Sequence, residues 1–220
     1  VTTGKENTLI GGLAGDALTD ADFNTAVGQE ALSTDTLGSR SIAIGWGALR
    51  VQNFTTATDT YNVAVGNLAG TAVTTGVQNT LIGSLAGDAL TDADFNVALG
   101  EFALSGDTQG SRTTAIGTGA LSSQNFTTAT NTYNTAVGYV AGNSITTGIN
   151  NTLIGGLAGD ALTDSDRNVA IGYNALSSDT LGARNTAVGF GSFTTQNFTT
   201  ATSSYNTGLG YQAGMLVTTG

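Results

Sequence analysis

Asn7-Thr8-Leu9-Ile10-Gly11 returns as Asn79-Thr80-Leu81-Ile82-Gly83 and again as Asn151-Thr152-Leu153-Ile154-Gly155, each copy 72 residues after the last. Inside every 72-residue span the same phrase occurs four times in variant form. Its closing glycines are Gly11, Gly28, Gly45, Gly66, Gly83, Gly100, Gly117, Gly138, Gly155, Gly172, Gly189 and Gly210. They are spaced 17, 17, 21 and 17 residues apart, and the cycle then repeats. A fixed period of this kind marks a stacked array, in which each unit is stabilised chiefly by its neighbours.

The residue before each of these glycines is always Ile, Val or Leu, and two residues earlier stands Thr, Val or Ile. Short β-branched runs closed by Gly read as strands followed by turns. Three residues after the glycine comes Ala (Ala14, Ala31, Ala48, Ala69 and their successors), with Ser192 the one substitute. A place restricted to Ala or Ser implies a tightly packed layer. Ten of the twelve phrases open with Asn, among them Asn7, Asn24, Asn62 and Asn79, while Ser41 and Thr113 fill the other two places. Asn stacked at one corner of each coil forms a ladder of side-chain amides that can satisfy turn backbone groups.

Identical residues in columns imply an all-β chain wound as a parallel β-solenoid (a β-roll) of twelve coils. Coils spaced by about 4.8 Å make a rod of roughly 58 Å. The 17-residue coil is read as two short strands and two turns, and the 21-residue coil as the same unit carrying a four-residue excursion. Residues 1–220 form a single continuous array with long repeats at about 5–76, 77–148 and 149–220. The chain opens on Val1-Thr2-Thr3-Gly4 and closes on Val217-Thr218-Thr219-Gly220, the same phrase at the same phase. The expectation is a segment of a longer fibre. The excursion, Gln52-Asn53-Phe54-Thr55-Thr56-Ala57-Thr58 and its two copies, should protrude once per long repeat. Phe54, Phe126 and Phe198 either fold back over the core edge or meet a neighbouring chain.

The chain has no Pro, Cys or His, 32 Gly and a formal net charge of −10. Disulfides and thiolate metal sites are thereby excluded, and Ser–His and Cys–His nucleophile pairs cannot be built. The negative charge disfavours nucleic acid and anionic membranes, and no apolar run is long enough to span a bilayer. An enzyme is not expected, because every candidate cluster occurs three times.

The most site-like cluster is acidic: Asp16, Asp20 and Asp22, repeated as Asp88, Asp92 and Asp94 and as Asp160, Asp164 and Asp166. Carboxylates on a loop suit Ca²⁺, the one candidate cofactor, although the spacing is neither an EF-hand nor the glycine-rich nonapeptide. The alternative is that these residues cap turns and keep the rod soluble. Arg40, Arg112 and Arg184 each follow an Asp (Asp35, Asp107, Asp179) by five residues, which suggests an ion pair within or between coils. The residue after each turn glycine varies and includes Trp46, Tyr139, Tyr173, Phe190 and Tyr211. Such exposed aromatics suit sugar stacking or the rim of a chain–chain seam. Thr-rich runs occur in one coil of four, too sparse for an ice-binding lattice.

The phrase Asn-Thr-Ala-Val-Gly followed by x-x-Ala resembles the head repeat of trimeric autotransporter adhesins (YadA-like heads) across all twelve units, and related phrases occur in tail-fibre proteins of phages. The resemblance implies a left-handed β-roll, a homotrimer of chains side by side with an apolar seam, and an extracellular place on a virion or cell surface. Coils in that family are nearer 14 residues than 17 or 21. The thin coils argue the same way for association, since each offers few large apolar side chains. The expected function is a stiff spacer presenting a receptor-binding tip to a host-surface glycan or protein. The alternatives are an array that is itself adhesive to glycans or matrix, and a subunit of an extracellular filament.

Overall fold

The computed structural model describes residues 1–219. In the first long repeat the strands are β1 (Thr8–Ile10), β2 (Thr25–Val27), β3 (Gly38–Ser39), β4 (Ile42–Ile44), β5 (Thr58–Asp59) and β6 (Val63–Val65). The second holds β7 (Thr80–Ile82), β8 (Val97–Leu99), β9 (Gly110–Ser111), β10 (Thr114–Ile116), β11 (Thr130–Asn131) and β12 (Thr135–Val137). The third holds β13 (Thr152–Ile154), β14 (Val169–Ile171), β15 (Gly182–Ala183), β16 (Thr186–Val188), β17 (Thr202–Ser203) and β18 (Thr207–Leu209). The chain is all-β: a parallel β-solenoid of twelve turns.

Each phrase contributes one three-residue strand, and the twelve strands stack in chain order into one parallel sheet. The register never slips, so that Ala26 faces Ala43 and Ala43 faces Ala64. Strand alternation then sorts the phrase. Its middle residue points inward and is buried in Ala26, Ala43, Ala64, Leu81 and their successors. The two flanking residues point outward. The closing glycine ends each strand in a conformation that a side chain resists: Gly83 has φ +137°, and a Cβ there would lie 2.5 Å from the Gly100 carbonyl oxygen of the next coil. The backbones of successive coils touch at this corner, which is why the glycine never varies.

The core is a single file of Ala and Leu with matched volumes. Ala14, Ala31, Ala48 and Ala69 are all buried, as are their counterparts further along. One residue later the chain carries either Leu, as in Leu32 and Leu49, or Gly, as in Gly15 and Gly70. Where it is Gly, the position three residues on is a large aliphatic (Leu18, Val73). Where it is Leu, that position is polar (Asp35, Gln52). A Cβ on Gly15 would press to 2.6 Å from Leu9 and 2.9 Å from Leu18, so a large side chain at one position excludes one at the other. In the eleventh coil Phe193 stands where Leu49 and Leu121 stand earlier, and across from it Gly208 replaces Ala64 and Ala136. A Cβ on Gly208 would meet the Phe193 ring at 2.8 Å, so the larger ring and the missing methyl compensate each other.

A second strand in every coil was expected and is not found. Among the described residues, two-residue strands form only as the pairs β3–β5, β9–β11 and β15–β17, each joining the coil before an excursion to the coil that carries it. Elsewhere that side is turns and bends. The residue preceding each opening Asn, Ser or Thr is left-handed, for example Phe23 (φ 60°) and Gln78 (φ 57°), which interrupts extended backbone. Hydrogen bonding between coils nevertheless continues there, through Gly15 N–H to Ala31 O (2.9 Å) and Thr19 N–H to Thr36 O (3.0 Å). The excursions fold back: Phe54 and Phe126 are buried and Phe198 is half-buried, while the Thr55-Thr56 tip and its copies stay exposed.

Candidate functional site

The asparagines form a ladder that is interrupted at Ser41 and Thr113. Asn62 Oδ1 accepts the backbone N–H of Asn79 in the next coil (2.9 Å), and Asn62 Nδ2 donates to the Gly76 carbonyl (2.7 Å). Asn7 and Asn24 repeat the arrangement, with Asn24 N–H donating to Asn7 Oδ1 (2.9 Å) and Asn7 Nδ2 donating to Ala21 O (2.7 Å). Asn7, Asn24 and Asn62 each satisfy a donor and an acceptor that the left-handed corner takes out of the sheet, whereas Asn185 Nδ2 is buried without a partner. Where Ser41 and Thr113 replace Asn, their hydroxyls contact Thr60 Oγ1 (2.6 Å) and Thr132 Oγ1 (2.7 Å).

The acidic residues are spread over coils rather than gathered. Asp22, Asp94 and Asp166 accept the backbone N–H of Lys5 (2.6 Å), Val77 (2.8 Å) and Ile149 (2.8 Å) in the preceding coil. Asp20, Asp92 and Asp164 accept the hydroxyls of Thr3 (2.8 Å), Thr75 (2.6 Å) and Thr147 (2.5 Å). They staple one coil to the next. Asp16 is exposed, whereas Asp88 and Asp160 are half-buried and each keeps one buried oxygen without a hydrogen-bond partner. Desolvation raises the pKa of both above the ordinary carboxylate value, outweighing the hydrogen bonds from their own backbone N–H groups. Among the described residues, no three His, Cys, Asp or Glu side chains converge to hold a metal ion.

The expected pairing of Asp35 with Arg40 does not occur. Asp35 is fully buried and receives three donors instead: Gly38 N–H (3.1 Å), Phe54 N–H (3.0 Å) and Gln52 Nε2 (2.6 Å). Gln52 Oε1 in turn accepts from Asn62 Nδ2 (2.8 Å). Asp107–Gln124–Asn134 and Asp179–Gln196–Asn206 repeat this chain. The buried carboxylate anchors the excursion by binding the Phe54 backbone amide and the Gln52 side chain. Sequence spacing missed the role because the partners lie 17 and 19 residues away, one coil along the stack.

Arg40 instead stands outside, in a column of left-handed residues that precede the phrase. It is 3.0 Å from Asp59 and lies between the Phe23 and Tyr61 rings, 4.7 and 5.9 Å from their centroids. Arg112 covers Phe95 at 4.6 Å and donates to Asn131 Oδ1 (3.1 Å). Arg184 covers Tyr205 at 5.5 Å and donates to Ser203 Oγ. Such cation–π contacts at the surface are each worth about 0.5–1 kcal/mol.

Two further surfaces are apolar. Tyr173, Phe190 and Tyr211 stack ring on ring along three successive coils, with centroids 5.6 and 5.5 Å apart and planes within 24°. The Phe190 ring is thus covered on both faces by its neighbours, so it is poorly placed to stack on a sugar. The second surface is the outer face of the twelve-stranded sheet. The residue before every turn glycine points outward there, giving an unbroken column from Ile10 through Ile44, Leu99 and Ile154 to Leu209. Ile44, Leu99 and Ile154 are 37, 41 and 38% exposed, even though each has a neighbouring coil on both sides. An aliphatic stripe running the length of the sheet is larger than a scatter of single apolar residues.

Fold and surfaces together define a repetitive rod of stacked coils. No family model, no curated protein and no solved structure matches the chain.

Proposed function

We propose that the chain is the structural repeat region of an extracellular fibre, built from copies lying side by side and acting as a stiff spacer for a receptor-binding tip. The observation that carries this reading is the outward aliphatic column. It spends an Ile, Val or Leu per coil on the side away from the chain's own core, where burial requires another molecule with the same 17- and 21-residue rhythm. A second copy of the chain has that rhythm. Three copies around one axis bury all three stripes in a common seam, the arrangement implied by the resemblance to trimeric adhesin heads. The uninterrupted register supports a role in reach, since the stack has no hinge within its twelve strands. The same resemblance supports a place on a virion or cell surface.

The test is the mass in solution, measured by light scattering or sedimentation equilibrium. Three times the 21.9 kDa chain mass supports the trimer. A mass of one chain at micromolar concentration rules out the seam.

A further inference from the structure

The three long repeats act as internal controls for one another, and at one place the third departs from the other two. In the first repeat Arg40 is flanked by Phe23 on the coil before it and Tyr61 on the coil after, and is neutralised by Asp59. In the second the flanking residues are Phe95 and Tyr133, and the acid has become Asn131. In the third, Phe has become Arg167 and the acid has become Ser203. Two guanidiniums thus stand on neighbouring coils, whose backbones are joined by the Arg184 backbone N–H bond to the Asp166 carbonyl (3.0 Å), as they are at Arg40 and Arg112. Arg167 approaches Asp166 only at 3.8 Å, and among the described residues Arg184 forms no ion pair. Like charges on adjacent rungs repel unless an anion lies between them.

The two arginines line a cleft of about 230 Å³ that is mostly polar, together with Asp164, Asp166, Thr202 and Ser203, while Leu181, Ala183 and Ala201 supply a smaller apolar part. Local charge follows the same drift. Asp20, Asp22, Arg40 and Asp59 carry a net −2, whereas Asp164, Asp166, Arg167 and Arg184 cancel. On a chain of net charge −10, an anion therefore meets less repulsion here than at the equivalent place in the first repeat.

We infer that the cleft between Arg167 and Arg184 binds the carboxylate of a uronic-acid unit of an acidic polysaccharide. The guanidinium forks match a carboxylate in geometry and charge. Arg184 is held ready by Tyr205 and Ser203, which leaves its other N–H groups for the ligand. Asp164 commits one oxygen to Thr147 and offers the other to a sugar hydroxyl, with the Thr202 hydroxyl beside it. Leu181, Ala183 and Ala201 present an apolar surface for the C–H face of the ring. The volume is below the roughly 300 Å³ at which drug-sized pockets begin and suits one sugar unit. The site belongs to a single chain and stands whether or not chains associate.

The test is titration calorimetry with sodium glucuronate, glucose and sodium sulfate at physiological ionic strength. Glucuronate is expected to bind once per chain, with glucose and sulfate at least tenfold weaker. Arg167→Phe and Ser203→Asp should each weaken glucuronate binding tenfold or more. Both install residues that the first repeat already accommodates at the equivalent places, and an unchanged circular dichroism spectrum checks that the fold is kept. The converse variant, Phe23→Arg with Asp59→Ser, should raise the stoichiometry from one to two. Absence of glucuronate binding, or binding untouched by Arg167→Phe and Ser203→Asp, overturns the site. Sulfate binding as tightly as glucuronate overturns its assignment to a sugar.

Discussion

The pairing of Phe193 with Gly208 can be taken apart and rebuilt, because the first two repeats contain the alternative. Phe193→Leu alone removes part of a ring that is 5% exposed and leaves a gap above Gly208. Full truncation of a buried Phe costs about 3–5 kcal/mol, so trimming to Leu should cost about 1–1.5 kcal/mol. Gly208→Ala alone puts a methyl 2.8 Å from the Phe193 ring, and overpacking of this kind costs about 1–3 kcal/mol. The double variant restores the Leu–Ala pair seen at Leu49–Ala64 and Leu121–Ala136. It should be within about 0.5 kcal/mol of the parent, or slightly better, since replacing Gly in a strand gains about 0.5–1 kcal/mol. The singles should thus sum to about 2–4.5 kcal/mol of destabilisation while the double shows almost none, a coupling of about 2–4.5 kcal/mol. The stack is quasi-one-dimensional and need not unfold in one step. The assay is therefore amide hydrogen exchange, followed by mass spectrometry on peptides from the last two coils. Each 1.4 kcal/mol appears there as about tenfold faster exchange. A double variant that exchanges as fast as the two singles predict together refutes the volume-matching argument.

Four other outcomes are expected. Asp107→Ala orphans the Gly110 and Phe126 amides and leaves Gln124 Nε2 with Thr113 Oγ1 as its remaining acceptor, so exchange should accelerate in the excursion around Phe126 by at least tenfold while the far coils are unchanged. Gly83→Ala, at φ +137° and 2.5 Å from a backbone oxygen, should cost more than about 3 kcal/mol and is checked by urea melting. Asp88 and Asp160 have raised folded-state pKa values, so their contribution favours the folded chain at low pH and is lost as pH rises through those values. Asp88→Asn with Asp160→Asn should raise the Tm at pH 7, and the gain should shrink toward pH 4; an equal shift at both values contradicts the burial argument. Ile82→Glu with Ile116→Glu places charge on the outward column and should reduce the mass in solution to one chain with the circular dichroism spectrum unchanged. Association that survives this change removes the stripe from the seam.

Much of the fold was legible because a solenoid repeats its constraints. The period, the three-residue strand, the glycine corner and the Ala layer are each stated twelve times in the chain, and each is local: a β-branched run, a position that tolerates no side chain, a position that tolerates only a small one. What the sequence could not supply were partners across coils. In-register parallel stacking places residue i beside i + 17 or i + 21 and near the residues flanking it, so Asp35 meets Gln52 at 17 and Arg40 meets Asp59 at 19, whereas proximity in sequence suggested Asp35 with Arg40. The missing second strand has the same origin, since left-handed φ at Phe23 or Gln78 is imposed by the turn and leaves no mark in residue type. The tertiary structure alone decided which face of each strand looks outward and which side chains share a cleft. Both follow from how the coil closes on itself, and coil closure depends on long-range backbone hydrogen bonds that no single phrase contains.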